Sequence, residues 1–188
     1  MDMKKLKTIV AEAETRRETL VQESLPYSRE ELDPVLSKNS LDYHYGKLAS
    51  SYVDRYNKQE GDDDFNYGGA ILHNLFFPQL MPTKTSNRPS GASAELINKK
   101  YKNFENFKEE FAKVAMGIQG SGWVYMDTAG NIKIITNHEY RKGMKIALLI
   151  DWWEHVWALD YEHDKQRYLK NIWRIVNWNT VNDRLLSK

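Results

Sequence analysis

An apolar run, Ile146-Ala147-Leu148-Leu149-Ile150, ends in a carboxylate, Asp151, and four residues later comes an imidazole, His155. A carboxylate at the mouth of a buried strand is costly unless something pairs with it. The i, i+4 spacing lets Asp151 and His155 converge on one point if the chain turns helical there. A convergent carboxylate and imidazole suit a redox-active first-row metal. The same residues also describe an ordinary helix start, with Asp151 as N-cap and His155 facing solvent.

The remaining histidines bear on that choice. His44 lies on the edge of a predicted helical face formed by Leu41, Tyr45, Leu48 and Tyr52, and His73 lies among Ala70, Ile71, Leu72, Leu75, Phe76 and Phe77. A single imidazole in such a face is most often a packed, hydrogen-bonded side chain. His138 directly follows a predicted strand, and His163 has no apolar setting. A set of three histidines and one aspartate drawn from both halves of the chain would bind a metal between domains, where sites often form. Three neutral imidazoles and one carboxylate leave room for a solvent ligand and suit iron or manganese, with zinc also admissible.

The elements that must position these groups follow from patterning. Residues 1–24 are charged and rich in Ala, Glu and Arg, and read as an extension outside the core, with a short amphipathic helix (Leu6, Ile9, Val10, Ala13) open to it. An irregular stretch from Leu25 to Pro34 precedes a helix over about Leu41–Asn57, with Ser37, Asn39 and Ser40 competing to cap it. Gln59 to Asn66 reads as a solvated acidic turn, since it lacks the spaced ligands and terminal Glu of a calcium loop. A second helix is expected from near Gly68 through Phe77, ended by Pro78 and Pro82. Thr83 to Gly91 reads as a linker. Ala94 to Gln119 is helical in two pieces, with a break near Asn103 or Asn106. Trp123–Met126 and Ile132–Thr136 form a hairpin through Asp127–Asn131, the run 146–150 is a third strand, and Tyr161–Leu186 is helical with an interruption at Asn177-Trp178-Asn179. The expected fold is α+β: an N-terminal helical hairpin domain (25–84) plus a C-terminal α/β domain (90–188) with a three-stranded antiparallel sheet.

Bulk properties narrow the function. The 188 residues carry a net charge of +1, so electrostatic binding to nucleic acid is not expected as a main task. Cysteine is absent, which removes disulfides, thiolate metal sites and cysteine nucleophiles, and fits a reducing, cytoplasmic setting. No apolar stretch is long enough to span a membrane, and the N-terminal residues resemble neither a signal nor a transit peptide.

Several separate motifs, in order, resemble the iron/manganese superoxide dismutase family over about residues 25–188. Leu25-Pro26-Tyr27 and Leu41-Asp42-Tyr43-His44-Tyr45-Gly46-Lys47 are similar to its opening and first ligand helix, and Asn66-Tyr67-Gly68-Gly69 followed by His73 to its second. Gly120-Ser121-Gly122-Trp123 and Asp151-Trp152-Trp153-Glu154-His155 are similar to its signature stretches, and Tyr168-Leu169, Trp173 and Val176-Asn177-Trp178 to its closing helix. The resemblance implies the ligands His44, His73, Asp151 and His155, one iron or manganese ion per subunit with iron favoured, and cyclic conversion of superoxide to dioxygen and hydrogen peroxide, an antioxidant activity. A metal-bound water or hydroxide would hydrogen-bond to Asp151. The resemblance further implies that Tyr52 gates the pocket, that Trp123 and Trp153 wall it, and that Glu154 reaches His155 of the partner subunit in a homodimer. Manganese forms place a solvent-bonding Gln at the position of His138, and iron forms often take a Gln from the position of Gly69. With glycine at 69, His138 is the candidate outer partner of the metal-bound solvent.

The chain departs from the family at Leu48 and Ala158, where a His and a Tyr of opposite subunits normally meet. Loss of both partners leaves no unpaired polar group. Tyr52 and His73 are 21 positions apart, a short hairpin for the family, which favours a dimer over a tetramer. Two alternatives stand beside the dismutase: a non-catalytic structural or binding protein that keeps the fold, and a different iron enzyme, such as an oxygenase, on the same site.

Overall fold

The computed structural model describes residues 17–187. Ser37 caps the first helix by accepting a hydrogen bond from the Ser40 amide at 3.1 Å. Helix α1 (Lys38–Tyr43) runs without a break into a π-helical stretch, His44–Ala49, and then α2 (Ser50–Lys58). The second helix, α3 (Asp63–Phe76), begins five residues before the expected Gly68. The acidic stretch supplies its start rather than a loop: Asp62 is the N-cap, accepting from the Phe65 amide at 2.7 Å, and Asp63 and Asp64 occupy the first turn. Carboxylates there complement the partial positive charge of the helix N-terminus. Only Gln59–Gly61 and the cap remain as the turn.

The expected extension is also closer to the core than its charge suggested. Leu20 is buried against Tyr52, Val53 and Ala70, and Asn57 brackets its backbone, accepting from Leu20 N (2.9 Å) and donating to Leu20 O (2.8 Å). Arg17 pairs with Asp63 and stacks over Tyr56. Residues 17–24 are therefore laid across the α2–α3 hairpin. The amphipathic helix considered for residues 6–13 lies outside the described residues.

After a coil with a 3-10 turn (Phe77–Gln79) come α4 (Gly91–Tyr101) and α5 (Phe104–Met116), with Asn103 capping the second as the break implied. Strands β1 (Gly122–Asp127), β2 (Ile132–Thr136) and β3 (Ile146–Trp152) form an antiparallel sheet in the order β2-β1-β3. The β1–β2 turn is closed by Asp127, whose Oδ1 accepts from the Ala129 and Asn131 amides. The C-terminal helices are α6 (Glu154–Tyr161), α7 (Lys165–Ile172) and, after a 3-10 turn, α8 (Trp178–Leu186), capped by Asn177. Tyr161 thus closes a helix rather than opening one. One continuous core joins the halves: Leu36, Leu72, Phe76 and Phe77 from the hairpin meet Trp123, Leu149, Trp152 and Tyr168. No described helix is long and apolar enough to cross a membrane.

Candidate metal centre

Asp151 lies inside β3, paired in register with Trp123 of β1, and not at the strand's mouth. The chain leaves the strand after Trp152 and starts α6 at Glu154. Asp151 and His155 therefore meet across a strand-to-helix corner, Oδ2 to Nε2 at 3.5 Å, and not along one helical turn. From the other half come His44, on the π-helical stretch, and His73, on α3. Their Nε2 atoms stand 3.2 and 3.8 Å from Asp151 Oδ2. His73 Nε2 is 3.0 Å, and His155 Nε2 3.2 Å, from His44 Nε2. All four donor atoms lie within 4.8 Å of one another.

The π-helical stretch has a geometric use here. In a regular α-helix, positions eight apart such as 44 and 52 diverge by about 80° around the axis. Wider π turns rotate less per residue, which brings His44 and Tyr52 back onto one side, a pattern often found at functional sites. Both reach the same pocket: Tyr52 stacks on the His73 ring at 5.4 Å, and His44 meets that ring edge-on at 5.0 Å.

The donor set fits a cation. Asp151 is fully buried, and its Oδ2 has no hydrogen-bond partner, while Oδ1 accepts from the Trp153 amide at 2.8 Å. An isolated buried carboxylate costs several kcal/mol, so Oδ2 facing three imidazole nitrogens needs a positive charge. His73 Nδ1 sits 2.6 Å from the Gly69 carbonyl, which can only accept. That places the proton on Nδ1 and the lone pair on Nε2, as a metal ligand requires. Separations of 3.0–3.8 Å suit donors sharing one ion at about 2.0–2.2 Å each.

Electrostatics agree. Burial lowers His44 to about 4 and His73 well below its ordinary value, so both are neutral at neutral pH. Burial alone would raise Asp151, but the close imidazoles of His155 and His44 outweigh it and hold the carboxyl well below the usual range. Tyr52 is raised to about 12 by burial and by Asp151, and keeps its proton.

His138 is 1% exposed, so it is a wall of the pocket and not a surface loop residue. Asn137, at φ 48°, turns the chain inward after β2, a conformation asparagine tolerates. Trp123 Nε1–H donates to His138 Nδ1 at 3.1 Å, Trp153 stacks on the ring at 4.4 Å, and Tyr52 meets it at 4.8 Å. Since Nδ1 accepts, the neutral ring carries its proton on Nε2, which is buried without a partner. Burial lowers this histidine to about 4. Two glycines make the packing possible. A Cβ at Gly68 would stand 1.9 Å from the His138 carbonyl oxygen, and one at Gly69 2.8 Å from the Tyr52 ring, so no donor side chain fits at 69.

The sequence reading missed Phe65, which is 37% exposed and packs on His138 at 4.7 Å and Tyr52 at 5.9 Å. It also missed Tyr168, whose hydroxyl donates to the Asp151 carbonyl at 3.2 Å. Phe65 sat inside the stretch read as an acidic turn, and only its aromatic character flagged it. Glu154 faces solvent at the start of α6, and His163 is exposed, away from the cluster.

Residues 20–64 match the alpha-hairpin domain, and residues 89–184 the C-terminal domain, of the iron/manganese superoxide dismutases. A superoxide dismutase [Fe] of Bacteroides fragilis is 34% identical, covering 86% of this chain and 96% of that protein. A superoxide dismutase [Mn/Fe] of Porphyromonas gingivalis is 36% identical over the same shares, and a superoxide dismutase [Fe] of Pyrobaculum aerophilum is 33% identical over 91% and 93%. The fold and the site define a metal-dependent oxidoreductase. The chain belongs to the iron/manganese superoxide dismutases, and its reaction turns superoxide into dioxygen and hydrogen peroxide.

Proposed function

We propose that His44, His73, Asp151 and His155 hold the single iron or manganese ion at which this chain dismutes superoxide, with iron the favoured metal. The observation that carries the assignment is the buried, unpartnered Asp151 Oδ2 facing three imidazole Nε2 atoms. Alternating oxidation states of the bound ion supply the electron exchange, one superoxide losing an electron and a second gaining one. The protein's share is charge, orientation and protons. Asp151 offsets part of the cation's charge, and the three imidazoles bind as neutral ligands. The His138 Nε2–H, left free by the bond from Trp123, donates to solvent or substrate in the pocket. Tyr52, protonated at neutral pH, gates the pocket and offers its hydroxyl proton. Trp123 and Trp153 hold His138 from two sides and exclude bulk water. The preference for iron rests on relatives named for iron alone, beside one named for both metals.

The test measures bound metal and dismutase activity on one purified sample, beside His73→Ala. Iron or manganese near one per chain, with both metal and activity lost in the variant, is expected. Stoichiometric metal without dismutase activity would overturn the functional reading, and a folded protein without metal the ligand assignment.

The working form is proposed to be a homodimer, Glu154 reaching His155 of the partner subunit. Leu159 is 50% and Tyr43 41% exposed, two large apolar side chains in one hollow whose other lining residues, Asn39, Asp42 and Lys47, are polar or charged, a surface offered to a second copy. Sedimentation of the parent and of Leu159→Glu tests this. A parent that sediments as a monomer overturns it. A cytoplasmic location is proposed from the cysteine-free composition, and fractionation of cells is its test.

A further inference from the structure

β3 is an edge strand, since the sheet order is β2-β1-β3. An edge strand presents a row of unpaired backbone groups. Here the groups of alternate residues 147, 149 and 151 are taken by side chains. Arg184 of α8 donates from Nη1 to Ala147 O at 3.4 Å. The Gln79 carboxamide pairs with Leu149 in both senses, accepting from its amide at 3.0 Å and donating to its carbonyl. Tyr168 of α7 donates to Asp151 O. Gln79 thus acts as one residue of an additional strand.

Arg184 ties this edge to the hairpin. Its Nη1 also donates to Gln79 Oε1 at 2.9 Å, and its Nη2 to Leu75 O at 2.6 Å. Leu75 is two residues beyond His73, and its carbonyl is among the last four of α3, which lack intrahelical partners. A cation there also meets the negative end of the helix. Gln79 is fully buried, and the oxygens that the Arg184 guanidinium donates to, on Gln79, Ala147 and Leu75, are all neutral.

We propose that Arg184 and Gln79 form a positioning clasp that sets the separation of His73 on α3 from Asp151 on β3, and so the shape of the metal site. Neither residue touches the four donors. They act through the two backbones that carry them: Leu75 follows His73 by two residues, and Leu149 precedes Asp151 by two. Bonds to Leu75 O, Ala147 O and both polar groups of Leu149 add directional ties to the packing that joins α3 to the sheet. The proposal rests on the metal-site reading.

The experiment compares parent, Arg184→Met, Arg184→Lys and Gln79→Met holoprotein. Metal release to a chelator and the ligand-field absorption spectrum are read beside the melting temperature. Tyr101→Phe, which removes a hydrogen bond to Gly130 O away from the site, is the control. Arg184→Met and Gln79→Met are expected to release metal at least tenfold faster and to shift the spectrum. Arg184→Lys should recover part of both, and the control should match the parent. If Arg184→Met does not fold, Gln79→Met alone decides. Release rates and spectra equal to the parent's in variants with lowered melting temperature would overturn the clasp and leave a purely structural contact. A parent that binds neither iron nor manganese would instead overturn the metal-site reading, and the clasp with it.

Discussion

The two halves of the molecule each contribute two donors, and they hold them by different means. The hairpin relies on side-chain packing. Tyr52 lies flat on His73, the His44 ring touches Phe77 at 4.8 Å, and Gly69 opens the space for Tyr52, while Gly68 admits the His138 backbone. The sheet relies on backbone hydrogen bonds. Asp151 is in register with Trp123 on one side and held through Tyr168, Gln79 and Arg184 on the other. Packing tolerates a lost atom poorly and an added atom worse, because interiors are dense. A hydrogen-bonded edge loses about 1 kcal/mol per neutral bond, more where a buried partner is left unsatisfied. Substitutions in the hairpin should therefore act steeply and on stability, and those around β3 more gently and on geometry.

The largest expected effect joins both halves. Asp151→Ala should abolish metal retention and lower dismutase activity by at least about 100-fold, the scale expected when ligand electrostatics are removed; elemental analysis and a superoxide assay check it. Next comes the hairpin. Gly68→Ala drives a Cβ into the His138 carbonyl and should cost about 3 kcal/mol, read by denaturant unfolding of the metal-free protein. A cost below about 1 kcal/mol would show that α3 yields where the His138 backbone meets it.

The metal-free protein should also lose stability as pH falls from about 6.5 to 4. His44 and His138 are both lowered to about 4 in the fold. The unfolded chain, near 6.5, binds more protons throughout that window, so protonation favours unfolding. The contribution is fully present above the unfolded value and lost through the folded one. His138→Gln should flatten this slope, as urea titrations at stepped pH would reveal. The smallest effect belongs to the sheet. Tyr168→Phe removes the bond to the Asp151 carbonyl and should cost about 1 kcal/mol while retaining metal. A cost matching Gly68→Ala would erase the contrast between the halves.

Much of the site was legible before the fold was. Histidine and aspartate are uncommon in apolar surroundings, so His44, His73 and Asp151 stand out by chemistry alone. Local signals were legible in part: Ser37 was one of three candidate caps and Asn103 one of two candidate breaks, and both act as caps on neighbours three residues away. What was not legible had long-range causes. The true start of α3 at Asp63 was hidden because the acidic run also suits a turn, and the contact of the half-exposed Phe65 and the burial of Leu20 against Tyr52 were needed to show otherwise.

The sequence by itself determined the types of donor, the cysteine-free chemistry and the alternation of helices and strands, since each depends on residue identity or on spacing of a few positions. Tertiary structure alone decided that Asp151 and His155 meet across a strand-to-helix corner, that His138 turns inward onto Trp123, and that Arg184 and Gln79 close the edge of β3. The Arg184–Gln79 contact joins residues 105 positions apart, and only the packing of α3 and α8 against the sheet brings such atoms within hydrogen-bonding distance.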